Sequence, residues 1–360
     1  MRIGHSLAVG LALLGSAGAA AGQGTATLYG RINLDLEGVR GQSTDGTNDW
    51  RTRLSSNSSR FGLRGTENLG GGYEAIFQLE SSVSGDAGGG TIAGRDSFLG
   101  IRGGWGTLRL GNLKTPYDNV NAVAGNVPTF TSSILDTESV WGNGSSLSSG
   151  GFAYRAANSI RYDLPGLWMK GVQGGFQVSL GENGDHAATY TFGGTWATGP
   201  WQFGAVVQYQ SESRGTALDD WAYSLAVAYD FGAIRVAGVW EQMKYDTPTG
   251  TLKRDFLGVS GTFDIGPGQL YAWYGYADDG EGSAAAGERV GGLARGADTR
   301  ARHYEISYTY PLSKRTSVYA GYVKIDNDRN ASYNFATNSL SNLAVGDKPE
   351  GFLVGVNHNF

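Results

Sequence analysis

The sequence predicts an all-β fold, a transmembrane antiparallel β-barrel of about 16 strands. Three observations predict it. Apolar and polar side chains alternate with a period of two, apolar faces tend to begin and end in Trp or Tyr, and short connections alternate with long ones.

Composition sets the frame. Glycine, at 59 of 360 residues, stands well above the usual ~7% and has no three-residue period, while Tyr 19 and Trp 9 argue against disorder. With only 8 prolines this suits many strands joined by short turns. No cysteine is present, which excludes disulfide staples and thiolate chemistry. A net charge of −5 without a basic block makes nucleic acid an unsuitable partner.

The first element is an address. Met1-Arg2 gives a short positive start, Leu7 to Leu14 an apolar stretch broken by Gly10, and Ser16 to Gly22 a run of small residues. Residues 1–21 are therefore expected to be a signal peptide. Cleavage falls after Ala19-Ala20-Ala21 or one residue later, after Ala20-Ala21-Gly22. The stretch is too short for a membrane anchor. Residues 22–360 are expected to form a single transmembrane barrel domain.

From Thr25 onward the period is two. Leu28, Ile32, Leu34 and Leu36 share one face, while Tyr29, Arg31, Asn33 and Asp35 share the other. The pattern recurs in Gly72–Val83, Trp201–Gln210, Trp221–Phe231 and His303–Tyr310. A dry sandwich core could not accept the charged or amide face without partners, so that face must be wet. Each segment has about the ~9–11 residues that a tilted membrane strand needs.

Connections follow the same logic. Asn68–Gly72, Gly103–Gly106, Asp230–Ala233, Gly266–Gly268 and Pro311–Arg315 read as tight turns. Long polar stretches lie between them, among them Gly38–Arg51, Gly85–Gly94, Lys114–Gly151, Asp246–Arg254, Asp278–Thr299 and Asp326–Glu350. Lipid tolerates no unpaired sheet edge, so the sheet is expected to close. A β-propeller or a secreted sandwich would share the hairpins but not the wet face.

Several runs resemble the Gram-negative general diffusion porins, a trimeric class with about 16 strands per chain. They are Thr27–Arg31, Ser59–Gly70, Thr107–Gly111, Tyr154-Arg155 before Asn158–Tyr162, Tyr310–Thr316 and the ending Gly355–Phe360. The resemblance covers nearly the whole mature chain. It implies a homotrimer in the bacterial outer membrane, conducting small hydrophilic solutes and ions, with no cofactor and no catalytic or metal-binding residue. The last strand alternates Phe352, Val354, Val356, His358 and Phe360 on one face. Its terminal aromatic, Phe360, resembles the signal read by the barrel-insertion machinery.

The implied site is electrostatic: a constriction with cations on the wall facing anions on an infolded loop. The resemblance places basic wall residues at Arg31, Arg60, Arg95 and Arg155. Alternation supports Arg31, which shares a face with Asn33 and Asp35; Arg60, opposite Phe61 and Leu63; and Arg155, grouped with Ser159 and Arg161. For Arg95 strict alternation instead gives the company of Leu99 and Ile101. The constriction loop is expected at residues 114–151, able to enter the lumen because irregular backbone is allowed where it lines water. Its carboxylates are Asp118, Asp136 and Glu138. The acidic, glycine-containing turn of the family is missing here, since Pro128 is followed by Thr129-Phe130-Thr131-Ser132-Ser133. Asp136 and Glu138 are the favoured partners of the arginines. More wall arginines than loop acids gives a lean to anion preference.

The alternative is a substrate-specific outer-membrane channel, for an oligosaccharide or organic anion, with lumen aromatics as stacking platforms. Tyr29, Tyr271 and Trp273 are the ambiguous aromatics. An outer-membrane enzyme lacks support, since no serine has the G-x-S-x-G elbow and no His/Asp/Glu spacing matches a metal site.

Overall fold

The computed structural model describes residues 24–41, 49–125, 132–143, 150–166, 170–182 and 187–360. Residues 1–21, expected to be a signal peptide, and the run Pro128–Thr131 lie outside the described residues. In chain order the strands are β1 (Thr25–Arg40), β2 (Arg51–Ser56), β3 (Arg60–Gly70), β4 (Tyr73–Ser82), β5 (Ser97–Gly103), β6 (Gly106–Lys114), β7 (Arg155–Asp163), β8 (Val172–Leu180), β9 (Ala188–Thr198) and β10 (Trp201–Ser211). There follow β11 (Asp220–Asp230), β12 (Ile234–Thr247), β13 (Gly250–Ile265), β14 (Gly268–Ala277), β15 (Arg289–Val290), β16 (Leu293–Ala294), β17 (Ala301–Pro311), β18 (Thr316–Asn327) and β19 (Glu350–Asn359). β15 and β16 form a small separate hairpin, and β2 and β3 are two pieces of one wall strand. The wall is thus a closed antiparallel barrel of sixteen strands.

Closure is direct. β1 pairs β19 from Arg31↔Asn359 to Arg40↔Glu350, and Gly30 exchanges two backbone hydrogen bonds of 3.0 Å with Phe360. Arg40 and Glu350 form an ion pair across this seam. Among the described residues every wall strand is paired on both sides, which is the condition for a sheet to span a membrane.

Alternation holds around the wall. Leu28, Leu36, Leu225, Phe192 and Val354 are exposed outward, whereas Asn33, Glu37, Ser224, Gln208 and Gln210 are buried inside. Aromatics mark the strand ends. At the short turns, Trp201 and Tyr229 meet edge to face at 4.6 Å, and at the other end Trp50 lies 5.2 Å from Phe352. One expected loop is absent: residues 246–254 form a tight hairpin, with Thr247 paired to Gly250.

Two irregularities re-aim the wall. Between β2 and β3, Ser58 takes a left-handed φ of 52° and the pleat slips by one residue. Arg53 and Ser55 face in above the break, yet below it Phe61 and Leu63 are exposed outward and Arg60 pairs inward. A one-residue slip exchanges the two faces, so the break puts Arg60 inside. In β7, Asn158 has φ 52° and the register with β6 shifts between Gly111 and Leu113. Arg155 therefore does not share a face with Ser159 and Arg161 by simple alternation, contrary to expectation.

The apolar core lies inside the barrel, between one arc of wall and the segment after β6. Helix α1 (Pro116–Ala124) starts with proline in its first turn and Asp118 facing the positive end of its dipole. Its Val120 and Val123 rest on Gly204 of β10, where a Cβ would lie 3.0–3.1 Å from their methyls. Small wall residues, Ala222, Ala226, Ala228 and Ala237, make room for Tyr117, Trp141 and Phe152.

Candidate functional site

Four guanidinium groups gather on the wall between β1 and the start of β7. Arg31 and Arg60 are register partners on β1 and β3. Arg31 donates to the Asn57 carbonyl at 2.9 Å, in the break between β2 and β3. Arg60 and Arg95 both reach Glu80 of β4, at 3.5 and 2.5 Å, and Tyr29 donates to the same carboxylate at 2.9 Å. Arg155 pairs with Asp96 at 2.6 Å. β5 begins only at Ser97, so Arg95 and Asp96 precede the strand and strict alternation does not govern them. Burial, then the like charges of Arg155 and Arg60, hold the Arg95 guanidinium below its ordinary value. The group thus sets four cations against two carboxylates. Glu80 was visible in the sequence as part of a polar face; Asp96 was hidden by the missing strand register.

A second pair of cations lies nearby. Arg161 and Arg109 both pair with Asp163, and Arg161 donates to the Lys114 carbonyl at 2.8 Å.

The loop acids stand elsewhere. Asp118 pairs with Lys114. Asp136 caps the backbone N–H of Glu138 at 3.0 Å and accepts from Thr337 at 3.4 Å. Glu138 accepts from Asn121 of α1 at 2.9 Å. Among the described residues no ion pair connects these three acids to Arg31, Arg60, Arg95 or Arg155; the carboxylates on the cluster are Glu80 and Asp96.

Burial, and next the charge of Glu138, pushes the Asp136 carboxyl well up, while burial and the charge of Asp118 push Glu138 up to about 7. A raised acid keeps its proton in the folded state. Its stabilising effect is complete below the unfolded value of ~4.3 and is lost as pH rises through the folded one. The thermal midpoint of wild type in detergent is therefore expected to fall between pH 5 and pH 8, and that of Glu138→Gln to fall less. Parallel curves would reject this assignment.

The loop is held by a buried pair. Glu241 of β12 and Arg254 of β13 lie 3.0 Å apart with both side chains fully buried. Glu241 accepts from the Tyr117 hydroxyl and, at 3.1 Å, from the Gly142 N–H. Arg254 donates to the Val140 carbonyl at 2.8 Å. Tyr271 donates to the Ala124 carbonyl at 2.8 Å, and Trp273 stacks on Trp141 at 5.7 Å. Of the three ambiguous aromatics, Tyr271 and Trp273 thus face inward but are covered by the loop. At the seam, the Phe360 ring covers Gly30 so closely that a Cβ there would lie 2.2 Å from it.

A profile described as Gram-negative porin matches residues 7–330. Outer membrane porin protein 32 of Delftia acidovorans is 27% identical, over 98% of this chain and 99% of its own length. An outer membrane porin protein of Bordetella pertussis is also 27% identical, over 97% of each chain. Among solved structures, an anion-selective porin from Comamonas acidovorans superposes with a TM-score of 0.71 at 23% identity, over 94% of this chain and 100% of that one. OmpT of Vibrio cholerae gives a TM-score of 0.70 at 16% identity, over 94% and 98%.

Proposed function

The chain belongs to the Gram-negative porins, and from that premise we propose a water-filled outer-membrane channel whose selectivity resides in the arginine cluster. The channel passes small hydrophilic solutes and ions by passive diffusion. Arg31, Arg60, Arg95 and Arg155 act as the basic wall, and the segment 114–151, whose helix packs on β9 to β11, narrows the bore. Glu80 and Asp96 temper the cluster, while Asp118, Asp136 and Glu138 serve chiefly to seat the loop. The observation that carries this reading is the excess of four guanidiniums over two carboxylates on one side of the lumen.

A charged patch in a channel with low-dielectric walls focuses the field on the permeating ion. Anion preference follows, despite the overall net charge of −5, because the lumen field is local. A planar bilayer in a KCl gradient is expected to reverse at a potential of the sign for chloride preference; a clear potassium preference would overturn the reading.

The substrate-specific alternative needs an uncovered aromatic track. Tyr271 and Trp273 lie under the loop, and Tyr29 is held by Glu80. A homotrimer follows from the family likeness, and a trimeric form is known for OmpT of Vibrio cholerae. Phe360, closing the seam over Gly30, is assigned as the residue read by the insertion machinery. No step in this function calls for a catalytic group.

A further inference from the structure

The outward face of the barrel carries a groove that permeation does not use. Gly174 of β8, Gly194 of β9 and Ala205 of β10 are register partners in turn, so small outward residues fall in one row across three strands. Phe192 and Phe203 stand on either side of that row, which runs on to Leu225 of β11 and Trp240 of β12. Gly238 widens the groove beside Trp240: a Cβ there would meet nothing closer than the Gly258 carbonyl oxygen at 3.8 Å.

The groove leads toward two cations. Lys244 of β12 and Lys253 of β13 are directly opposite on the same outward face, four residues along from Trp240 and Leu257. At about 3.4 Å per residue that separation is roughly 13 Å. The pair lies close to the Thr247–Gly250 hairpin, at the end of the barrel away from the short turns, and Lys244 is the register partner of Trp221. Long connections face the cell exterior in such barrels, and tryptophan marks the headgroup level, so the lysines stand at the outer leaflet. Like charges directly opposite on a sheet repel. Lys244 has a loose pairing with Asp246 at 3.5 Å, Lys253 forms no ion pair among the described residues, and Asp255 accepts from the Gln242 amide at 3.0 Å. An anion between the two ammonium groups relieves that repulsion.

We propose that this face holds one anionic lipid of the outer leaflet, its phosphate between Lys244 and Lys253 and an acyl chain in the groove. A free anion needs no groove and an uncharged lipid needs no lysines; the two features together select a charged amphiphile. The site goes beyond the channel reading, since groove and lysines lie on the opposite side of the wall from the lumen.

The test uses full-length protein refolded in nonionic detergent, with barrel formation checked by heat-dependent gel mobility and bound lipid counted by native mass spectrometry. Wild type is expected to retain one dioleoyl phosphatidic acid per chain at concentrations where phosphatidylcholine is not retained. Replacing both lysines, Lys244→Gln with Lys253→Gln, is expected to weaken retention roughly tenfold or more. Gly238→Phe, which fills the groove, is expected to weaken it as well. The thermal midpoint of wild type is expected to rise with phosphatidic acid, and that of the double variant to stay where it is. Equal retention of the two lipids by wild type, or undiminished retention by either variant, overturns the site. Displacement of the lipid by inorganic phosphate alone reduces it to a surface anion site and overturns it too. Conductance of the same variants is expected to match wild type, so a chain that binds the lipid yet fails to conduct counts against the channel and not against this site.

Discussion

Replacing Arg60, Arg95 and Arg155 together with glutamine is expected to reverse the sign of the channel's ion preference. The intact cluster holds four guanidiniums and two carboxylates, a local balance of +2 (4 − 2); the triple variant leaves Arg31 against Glu80 and Asp96, a balance of −1 (1 − 2). A unit charge at 4 Å acts with about 1 kcal/mol in bulk water and about 4 kcal/mol near a protein surface, so each removed charge changes ion partition severalfold. The reversal potential in a KCl gradient reads this directly. The effect is expected to be larger in dilute salt, since the Debye length shrinks from about 30 Å at 0.01 M to 3 Å at 1 M. Glu80→Gln is expected to move the potential the opposite way, toward stronger chloride preference. A triple variant that keeps the wild-type potential would remove the cluster from the selectivity mechanism.

The second large effect is expected at the anchor of the lumen loop. Glu241→Ala leaves Arg254 fully buried without its carboxylate and strips Tyr117 and Gly142 of their acceptor. Breaking a buried pair from one side costs about 3–5 kcal/mol. The variant is expected to unfold at lower temperature and to conduct in larger, noisier steps, because α1 loses a fixed seat. Replacing both partners by apolar residues of similar volume, Glu241→Leu with Arg254→Met, is expected to recover much of the stability. It would not restore the hydrogen bonds to Gly142 and Val140, so the current noise should persist. Quiet, wild-type openings in Glu241→Ala would show that the pair does not position the loop.

The wall could be read from the chain alone because its rule is local. In Trp221–Phe231 bulky apolar residues take the outward side and small or polar ones the inward side, and neighbouring strands only repeat the statement. The breaks could not be read so easily. Ser58 and Asn158 take left-handed φ values without being glycine, and nothing in their local sequence announces a one-residue slip. The alternation around Arg60 resumes in the correct phase by itself, whereas Arg155 was misgrouped because the slip lies inside its own strand. The loop acids were harder still. Glu138 is placed by Asn121 and by burial, and the loop by Glu241, 124 residues from Tyr117. Such surroundings are products of tertiary packing. Composition can count the carboxylates of 114–151, but it cannot say which are solvated.

The union of β1 with β19 constrains the order of assembly. Arg40 meets Glu350 across 310 positions of chain, so the opening strand waits for a neighbour translated that much later. Until then the nascent wall is a curved ribbon with two raw borders, each a row of amides seeking partners. Such a ribbon is best kept from oil until the ten residues of β19 arrive, and chains cut short before β19 should be cleared rather than inserted.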